Sequence, residues 1–404
     1  MKDILMVTHF TQVPGEAGNG RFNYIANMLS KDPNKKVEVV TSSFSHGAKK
    51  QRKLLSENLN DMNYKLTMIK EPDYKKNVSL RRFYSHFIIG RNLKKYLNKR
   101  TKPDVIYCSV PSLDVAKTAA KYAKKNNIKF IIDVQDIWPE AFKLIFNLPI
   151  ISNLIFYPMK RSSEYIYKSA DEIISVSKTY CDLAHKYNKK CNRVYDVFLG
   201  TELKTFDDYK NKNMITNKPS NEVWIAYAGT LGHSYDLTAV IESLTIMKNK
   251  GFKNFKFIIM GNGPLKHKFE KHIEKNQIPA NFTGRLNYDK MVGLLSACDI
   301  AVNPISKGAA QSIINKHADY AAAGLPVVNT QESKEYRELV DEHKIGFNCK
   351  NNNAKDLADK LLQLYENKTL RIEMGSNHRK LAETKFDRTY TYPSIIDVIN
   401  KNLN

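Results

Sequence analysis

Lys316 and Asp319 stand one helical turn apart in the stretch 308–330, GAAQSIINKHADYAAAGLPVVNT. A polar loop of small residues opens a helix there, Gly324-Leu325-Pro326 stops it, and an apolar strand, Val327-Val328-Asn329, follows. Residues three apart share a helix face, so a cation and a carboxylate are presented together near the helix start. Free backbone N–H groups and the positive end of the helix dipole already favour a phosphate at that place. Lys316 can hold a diphosphate there, and Asp319 can accept hydrogen bonds from ribose hydroxyls, which together would grip a sugar nucleotide. The plainer alternative is a solvated Lys–Asp pair, since many α/β helices end in Gly and then Pro.

Further segments add weight. After the first strand comes Pro14-Gly15-Glu16-Ala17-Gly18-Asn19-Gly20-Arg21, where glycines let backbone approach a ligand and the next helix start attracts an anion. Gly18, Asn19, Gly20 and Arg21 are therefore candidates for an acceptor or phosphate loop, although the spacing is not G-x-G-x-x-G. Asp133-Val134-Gln135-Asp136-Ile137-Trp138-Pro139-Glu140 places carboxylates, an amide and one of two tryptophans at a strand's carboxyl end. Sites of α/β proteins are built there. Asp136 and Gln135 become catalytic candidates; helix capping by Asp136 is the alternative. In the second half, Gly229, Thr230, Gly232 and His233 follow one strand, Gly261 and Gly263 another, and Arg285 and Leu286 a third. Ser312, in the loop before Lys316, joins this donor-binding set.

These residues need elements to hold them. Short apolar strands (Ile4–Val7, Val37–Val40, Leu66–Ile69, Val105–Cys108, Phe130–Val134, Glu172–Val176, Val194–Phe198) alternate with helical patterns near 20–31, 80–99, 113–126, 159–169 and 178–187. Alternation of this kind argues a parallel sheet layered by helices. Residues 200–221 lose periodicity and fill with Asn, Lys and Asp, as a linker would. A second α/β series follows: strands at Trp224–Ala228, Phe255–Met260, Ile300–Val302 and Pro326–Val328, with helices near 236–249, 264–275, 288–297, 312–323 and 354–366. The reading is a first domain over 1–199, a linker over 200–221, a second domain over 222–385, and a C-terminal helix in 386–404 that crosses back to the first. Two doubly wound domains would face each other across a cleft that takes the ligand.

Composition bounds the partners. The 404 residues suit two domains of roughly 200 residues each. A net charge of +23 predicts an acidic partner such as a nucleic acid, an anionic lipid surface or a phosphorylated substrate. Five cysteines never form a CxxC, which fits a reducing compartment and gives no zinc ribbon. MKDILMVTHF has too short an apolar run for a signal peptide and reads as a strand, and no window reaches the roughly 18 apolar residues of a span. Ser79–Lys102 carries Arg81, Arg82, Arg91, Lys94, Lys95, Lys99, Arg100 and Lys102 without an acidic residue, beside Leu80, Phe83, Tyr84, Phe87 and Ile88 at helical spacing. A helix so made can lie on an anionic bilayer, which predicts a cytoplasmic protein bound peripherally to the inner face of the cell membrane. No carboxylate pair or His/Cys cluster in the sequence suggests a metal.

The series AGTLG, MGNGP, NFTGRL and NKHADYAAAGLPVV resembles the retaining glycosyltransferases of family 4, which have the GT-B fold of two Rossmann-like domains, and DVQDIWPEA resembles the variant in enzymes that build bacterial capsule, O-antigen and exopolysaccharide. The resemblance runs from Ile4 to the 340s. It implies that Lys316 and backbone amides hold the donor diphosphate, that Asp319 binds the ribose, and that Gln311 occupies the place of the acidic residue contacting the donor hexose. Where the family often carries Arg and then Lys after the second-domain glycine, Thr230 and Tyr235-Asp236 stand here, leaving Lys316, Arg285 and His233 as replacements. Gln135 stands where many relatives have a His. The implied activity is transfer of a hexose or N-acetylhexosamine, a UDP-sugar being the first choice of donor, onto a polyprenyl-diphosphate-linked glycan, with no cofactor, metal or nucleic acid. The rivals are a basic nucleic-acid-binding protein, though no RNP, KH or zinc-finger pattern occurs, an NAD-dependent dehydrogenase, whose glycine fingerprint is missing, and another sugar-nucleotide enzyme of the same fold, such as an epimerase.

Overall fold

The structure is a computed structural model and describes residues 1–16, 20–53, 62–77, 79–140, 154–309 and 312–403. Gly18, Asn19 and Gln311 of the candidate set lie outside the described residues. Two compact units are present: Met1–Phe198 with Tyr392–Asn404, and Leu199–Thr391.

The first unit is built on strands β1 (Lys2–Val7), β2 (Lys35–Ser42), β5 (Lys65–Ile69), β6 (Val105–Val110), β7 (Lys129–Val134), β8 (Glu172–Ser175) and β9 (Val194–Asp196). A two-stranded antiparallel pair, β3 (Phe44–Ser45) and β4 (Lys50–Gln51), projects from the loop after β2. The seven strands are parallel and lie in the order β5-β2-β1-β6-β7-β8-β9. Burial of β6 on both faces explains why VIYCSV reads as a continuous run instead of an alternation. Helices α1 (Arg21–Leu29), α2 (Leu80–Lys99), α3 (Leu113–Asn126), α4 (Tyr157–Ser169) and α5 (Lys178–Tyr187) layer it.

In the second unit α6 (Leu203–Lys212) precedes a parallel sheet of order β12-β11-β10-β13-β14-β15, made of β10 (Val223–Ala228), β11 (Phe255–Met260), β12 (Ala280–Gly284), β13 (Ile300–Asn303), β14 (Val327–Asn329) and β15 (Gly346–Asn348). Its helices are α7 (Leu237–Asn249), α8 (Lys266–Asn276), α9 (Tyr288–Ser296), α10 (Asn315–Ala322), α11 (Lys334–Glu342), α12 (Ala354–Glu366) and α13 (Lys368–Leu381). Each sheet reverses its strand order beside its first strand, the topological switch point where doubly wound proteins take ligands.

Residues 200–221 are not a bare linker. They contain α6, which buries only Leu203 and Phe206 and so shows too little apolar periodicity to be read from sequence. Gly293 of α9 packs so closely on α6's end that a Cβ there would lie 2.2 Å from the Asn213 carbonyl oxygen. β15, α11 and α13 were likewise not anticipated. Among the described residues no helix is long and apolar enough to cross a membrane.

The last helix, α14 (Pro393–Lys401), belongs to the first unit. Tyr392, Ile395, Val398, Ile399 and Leu403 are buried in one core with Ile4, Phe22, Ile25, Val39 and Tyr107. Just before it the chain is stapled to the stretch after Phe198: Thr201 N donates to the Phe386 carbonyl at 2.9 Å, and Arg388 N to the Thr201 carbonyl at 3.0 Å. Ile399→Ala removes a fully buried side chain and should cost about 2–5 kcal/mol. Trp138 lies in the first unit and Trp224 in the second, so single-tryptophan variants separate the two melts. The Trp138 midpoint should fall while the Trp224 midpoint holds; an unmoved Trp138 midpoint would show that α14 adds nothing to that core.

Candidate functional site

β10 ends in Gly229, and the loop after it interlocks with the loop after β11. A Cβ on Gly261 would sit 1.8 Å from the Gly229 carbonyl oxygen, and one on Gly263 would sit 2.3 Å from that of Leu231. Gly229 N donates to Met260 O at 2.9 Å, Leu231 N to Asn262 O at 3.0 Å and Leu265 N to Leu231 O at 3.0 Å. Gly261 and Gly263 are thus required by backbone packing, and they build one rigid double loop at the carboxyl edge.

Against this loop lies Lys316, in the first turn of α10. A Cβ on Gly229 would be 3.1 Å from Lys316 Nζ, so glycine leaves the ammonium its room. Nζ sits 4.0 Å from the ring centroid of Tyr235 and 4.4 Å from that of Tyr227. It is buried and has no hydrogen-bond partner among the described residues. An ammonium carries three donors, and desolvating it without acceptors costs several kcal/mol; cation–π contact returns about 2 kcal/mol when desolvated. Burial pushes the Lys316 pKa well below its ordinary value. Ser312 Oγ, earlier in the same loop, is also buried without a partner among the described residues. Two orphaned polar atoms at one helix start mark a place shaped for something that accepts hydrogen bonds.

Asp319 is buried one turn on. Its Oδ1 accepts from Tyr288 Oη at 2.8 Å, and that hydroxyl lies 2.7 Å from Thr201 Oγ1. Burial raises its pKa to about 6, partly countered by the Tyr288 hydrogen bond. Between them His317 is structural. It stacks on Tyr336 at 3.8 Å, Nδ1 accepts from Ile314 N at 3.1 Å, and Nε2 meets Asn303 Nδ2 at 3.1 Å. Thr230, His233 and Arg285 are exposed, and Gly232 and Leu286 are half-buried. The His233 carbonyl accepts from Ser306 Oγ at 2.9 Å and the Thr230 carbonyl from Tyr227 Oη at 2.7 Å, so both contribute backbone to the loop.

In the first unit several candidates turn out to be engaged elsewhere. Arg21 is buried: its Nε donates to Asp133 Oδ2 at 2.8 Å and Nη1 to the Val197 and Phe198 carbonyls at 2.9 and 3.2 Å. Burial alone would lower its pKa, but Asp133 raises it above the usual arginine range. Gln135 Nε2 donates to Asp133 Oδ1 at 2.5 Å, and Tyr107 Oη donates to Asp133 as well. Arg21 and Gln135 therefore serve the buried Asp133, and neither is a loose ligand contact. Gly20 caps α1 without a side chain. Asp136 Oδ1 accepts from Ile137 N at 2.9 Å and Oδ2 from Trp138 Nε1 at 3.2 Å, with a pKa raised by burial.

The fold also brings together residues that sequence reading missed. His9 follows β1, and its Nδ1 lies 2.6 Å from Ser112 Oγ across the switch point; its Nε2 lies 2.7 Å from Glu71 Oε2. Ser42 and Ser85 also donate to Glu71. His86 stacks on Trp138 at 5.7 Å, and Arg82 lies 4.8 Å from the Trp138 ring. Arg82 and Arg100, expected on a cationic outer face, point inward or pair, Arg100 with Asp3 at 2.8 Å and Glu38 at 3.1 Å. The spacing of Arg82, Ser85, His86 and Ile89 was the available signal, since all four share the buried face of α2. His9, Glu71 and His86 hold potential ligand atoms within 4.8 Å of one another, a cluster the sequence did not reveal. Both His9 nitrogens already have partners, and Arg82 Nε approaches His86 Nε2 at 3.4 Å. That donor set suits a hydrogen-bonded network better than a cation.

Residues 208–381 match the family model of glycosyl transferases group 1. The chain is 24% identical to the probable glycosyltransferase WbjE of Pseudomonas aeruginosa over 236 residues, 57% of this chain and 58% of that protein. It spans about 60% of the length of the curated relatives it matches. Among solved structures, Anabaena HepE in complex with UDP superimposes with a TM-score of 0.72 at 14% identity, over 99% of this chain and 100% of HepE. WaaG, a glycosyltransferase involved in lipopolysaccharide biosynthesis, superimposes with a TM-score of 0.65 at 14% identity, over 96% and 98%. The chain therefore has the GT-B fold, and its second unit carries a glycosyl transferases group 1 domain.

Proposed function

We propose that this protein is a retaining glycosyltransferase that moves a hexose or N-acetylhexosamine from a nucleotide diphosphate sugar, a UDP-sugar first among them, to a lipid-linked glycan of a bacterial surface polysaccharide. One observation carries the reading: the buried ammonium of Lys316, against Gly229 at the start of α10, without a hydrogen-bond partner among the described residues. A diphosphate there would supply the missing acceptors, and Lys316 would neutralise the charge that develops on it as the sugar–phosphate bond breaks. The UDP held by HepE and the part WaaG takes in lipopolysaccharide biosynthesis support the donor and the product class.

Binding of UDP, followed by calorimetry, tests the donor side. A charge-assisted hydrogen bond contributes roughly 1.5–3 kcal/mol, so Lys316→Ala should weaken binding about ten- to a hundredfold. Asp319 offers ribose an acceptor only as a carboxylate, and its pKa is about 6. As pH falls through 6 it gains a proton, so wild-type affinity should drop relative to Asp319→Asn, whose profile keeps only the titration of UDP itself. Parallel profiles, or wild-type affinity in Lys316→Ala, would end the assignment.

The leaving diphosphate would be held by Lys316 and backbone N–H groups, without a metal. Transfer should then survive excess chelator. Complete loss, restored by magnesium or manganese, would overturn this part of the mechanism.

The acceptor side is read from α2. Its inner face buries Ile89, Leu93 and Leu97, yet Leu80, Tyr84 and Phe87 remain 88%, 57% and 50% exposed beside Phe83. Arg91, Lys94, Lys95 and Lys99 are exposed further along the helix. Apolar rings followed by cations fit an anionic bilayer surface, each cation adding roughly 1 kcal/mol near it, and they would dock the protein on the inner face of the membrane. Sedimentation with phosphatidylglycerol vesicles should show binding that falls with salt. Phe83→Ser with Phe87→Ser should weaken it about tenfold or more, and Gln at Arg91, Lys94, Lys95 and Lys99 should release the protein. Unchanged binding in both variants would make α2 a solvated face.

A further inference from the structure

Asp319 is held by a line of hydroxyls that begins in the stretch after Phe198. Tyr288 Oη, at the start of α9, donates to Asp319 Oδ1 at 2.8 Å, and Thr201 Oγ1 lies 2.7 Å from the same Oη. A phenol has one proton; the ionised carboxylate takes it, so Thr201 donates to Tyr288. Thr201 is itself fixed on both sides of its backbone, by the Phe386 carbonyl at 2.9 Å and Arg388 N at 3.0 Å. The Tyr288 ring meets Tyr209 of α6 edge-on at 6.2 Å, and Lys290 of α9 donates to Asn213 Oδ1 at 2.6 Å, just past the end of α6. Residues 201–213 and 386–388 thus aim one phenol at the carboxylate.

The other groups around Asp319 act differently. Arg388 attracts its charge while donating to the Gly200 carbonyl at 2.5 Å. Tyr320, next on α10, donates to the Val302 carbonyl at 3.2 Å. Lys316, one turn earlier, faces the Tyr227 and Tyr235 rings. From α13, His378 Nδ1 meets the Leu325 carbonyl at 2.6 Å and Arg379 the Ala322 carbonyl at 2.8 Å, at the far end of α10, and Glu383 pairs with Arg379 at 3.4 Å. Among the described residues Tyr288 is the one hydrogen-bond donor to the Asp319 carboxylate. Burial drives Asp319 up to about 6, and the Tyr288 bond works against that rise. Burial and then the Asp319 charge raise Tyr288 far above its ordinary value, so the phenol keeps its proton and remains the donor.

We infer that Tyr288, aimed by Thr201, is a positioning residue for the donor nucleotide: it occupies one oxygen of Asp319 and holds the other for a ribose hydroxyl. This rests on the donor reading of Asp319. A donor to a carboxylate also favours its ionised form, which is the form that can accept from ribose. The stretch 200–213, read from sequence as a linker, then takes part in nucleotide binding.

Two variants test it. Tyr288→Phe keeps the ring and removes the proton, and Thr201→Val keeps the backbone staple and removes the hydroxyl behind it. The Asp319 carboxyl is first titrated by carbon-13 NMR in ligand-free protein labelled at the aspartate carboxyls, its resonance identified by its loss in Asp319→Asn. A charge-assisted hydrogen bond corresponds to about one pH unit or somewhat more. The midpoint should therefore rise by about that much in Tyr288→Phe and by less in Thr201→Val. UDP affinity is then followed by calorimetry across a pH range that brackets the midpoint. Protonation removes the acceptor, so as pH falls Tyr288→Phe should lose affinity about one unit earlier than wild type. In an Asp319→Asn background Tyr288→Phe should change nothing. A packing role alone would weaken UDP equally at every pH, or act in Asp319→Asn as well, and either result overturns the inference. If wild-type protein does not bind UDP, the donor reading falls and takes this inference with it. If UDP binds and the Asp319 midpoint stays put in Tyr288→Phe, this inference alone falls.

Discussion

Parallel strands deliver all their carboxyl ends to one edge of a sheet, and that constraint governs both units. Where the strand order reverses, the first loops leave in opposite directions and a gap opens at the edge. In the second unit the gap beside β10 is lined by the double loop of Gly229 and Gly261 and by the start of α10. In the first unit the same gap lies between β1 and β6 and is bridged by His9 and Ser112. Chemistry-bearing side chains collect at these edges because the central strands, β6 and β10 among them, are buried on both faces.

The two edges handle charge differently. Around Asp133 charge is balanced: Arg21, Tyr107 and Gln135 all serve one buried carboxylate, which locks α1 to β7. A buried pair satisfied in this way holds geometry and offers nothing to a ligand. Around Lys316, among the described residues, charge is left unbalanced, with ring faces in place of acceptors. Arg82 differs from both: its guanidinium meets the Asn77 carbonyl and the Trp138 and Tyr74 rings, within the attraction of Glu71 and Asp136. Unbalanced buried charge costs stability, and a fold retains it where a bound anion offsets the cost.

Much of the architecture was legible in the sequence, because buried parallel strands are continuous apolar runs and the helices between them carry a 3.6-residue period. The elements that escaped were weakly patterned. α6 is anchored by Leu203 and Phe206 alone, and β15 is three residues long. The glycines of 229–232 and 261–263 were legible as loops but not as partners, since their meeting joins the ends of two strands.

By itself the sequence determined two doubly wound units, the position of Lys316 and Asp319 on one helix turn, and the surplus of positive charge. Those are local or compositional properties, carried by spacing and counting. Only the tertiary structure decided which charges are engaged. Arg21, Arg82 and Arg100 look alike in sequence, yet one is paired with Asp133, one is stacked on Trp138, and one is paired with Asp3 and Glu38. His9, Glu71 and His86 are far apart in the chain and adjacent in space. Burial, pairing and pKa depend on partners brought from distant strands, and no local pattern encodes who those partners are.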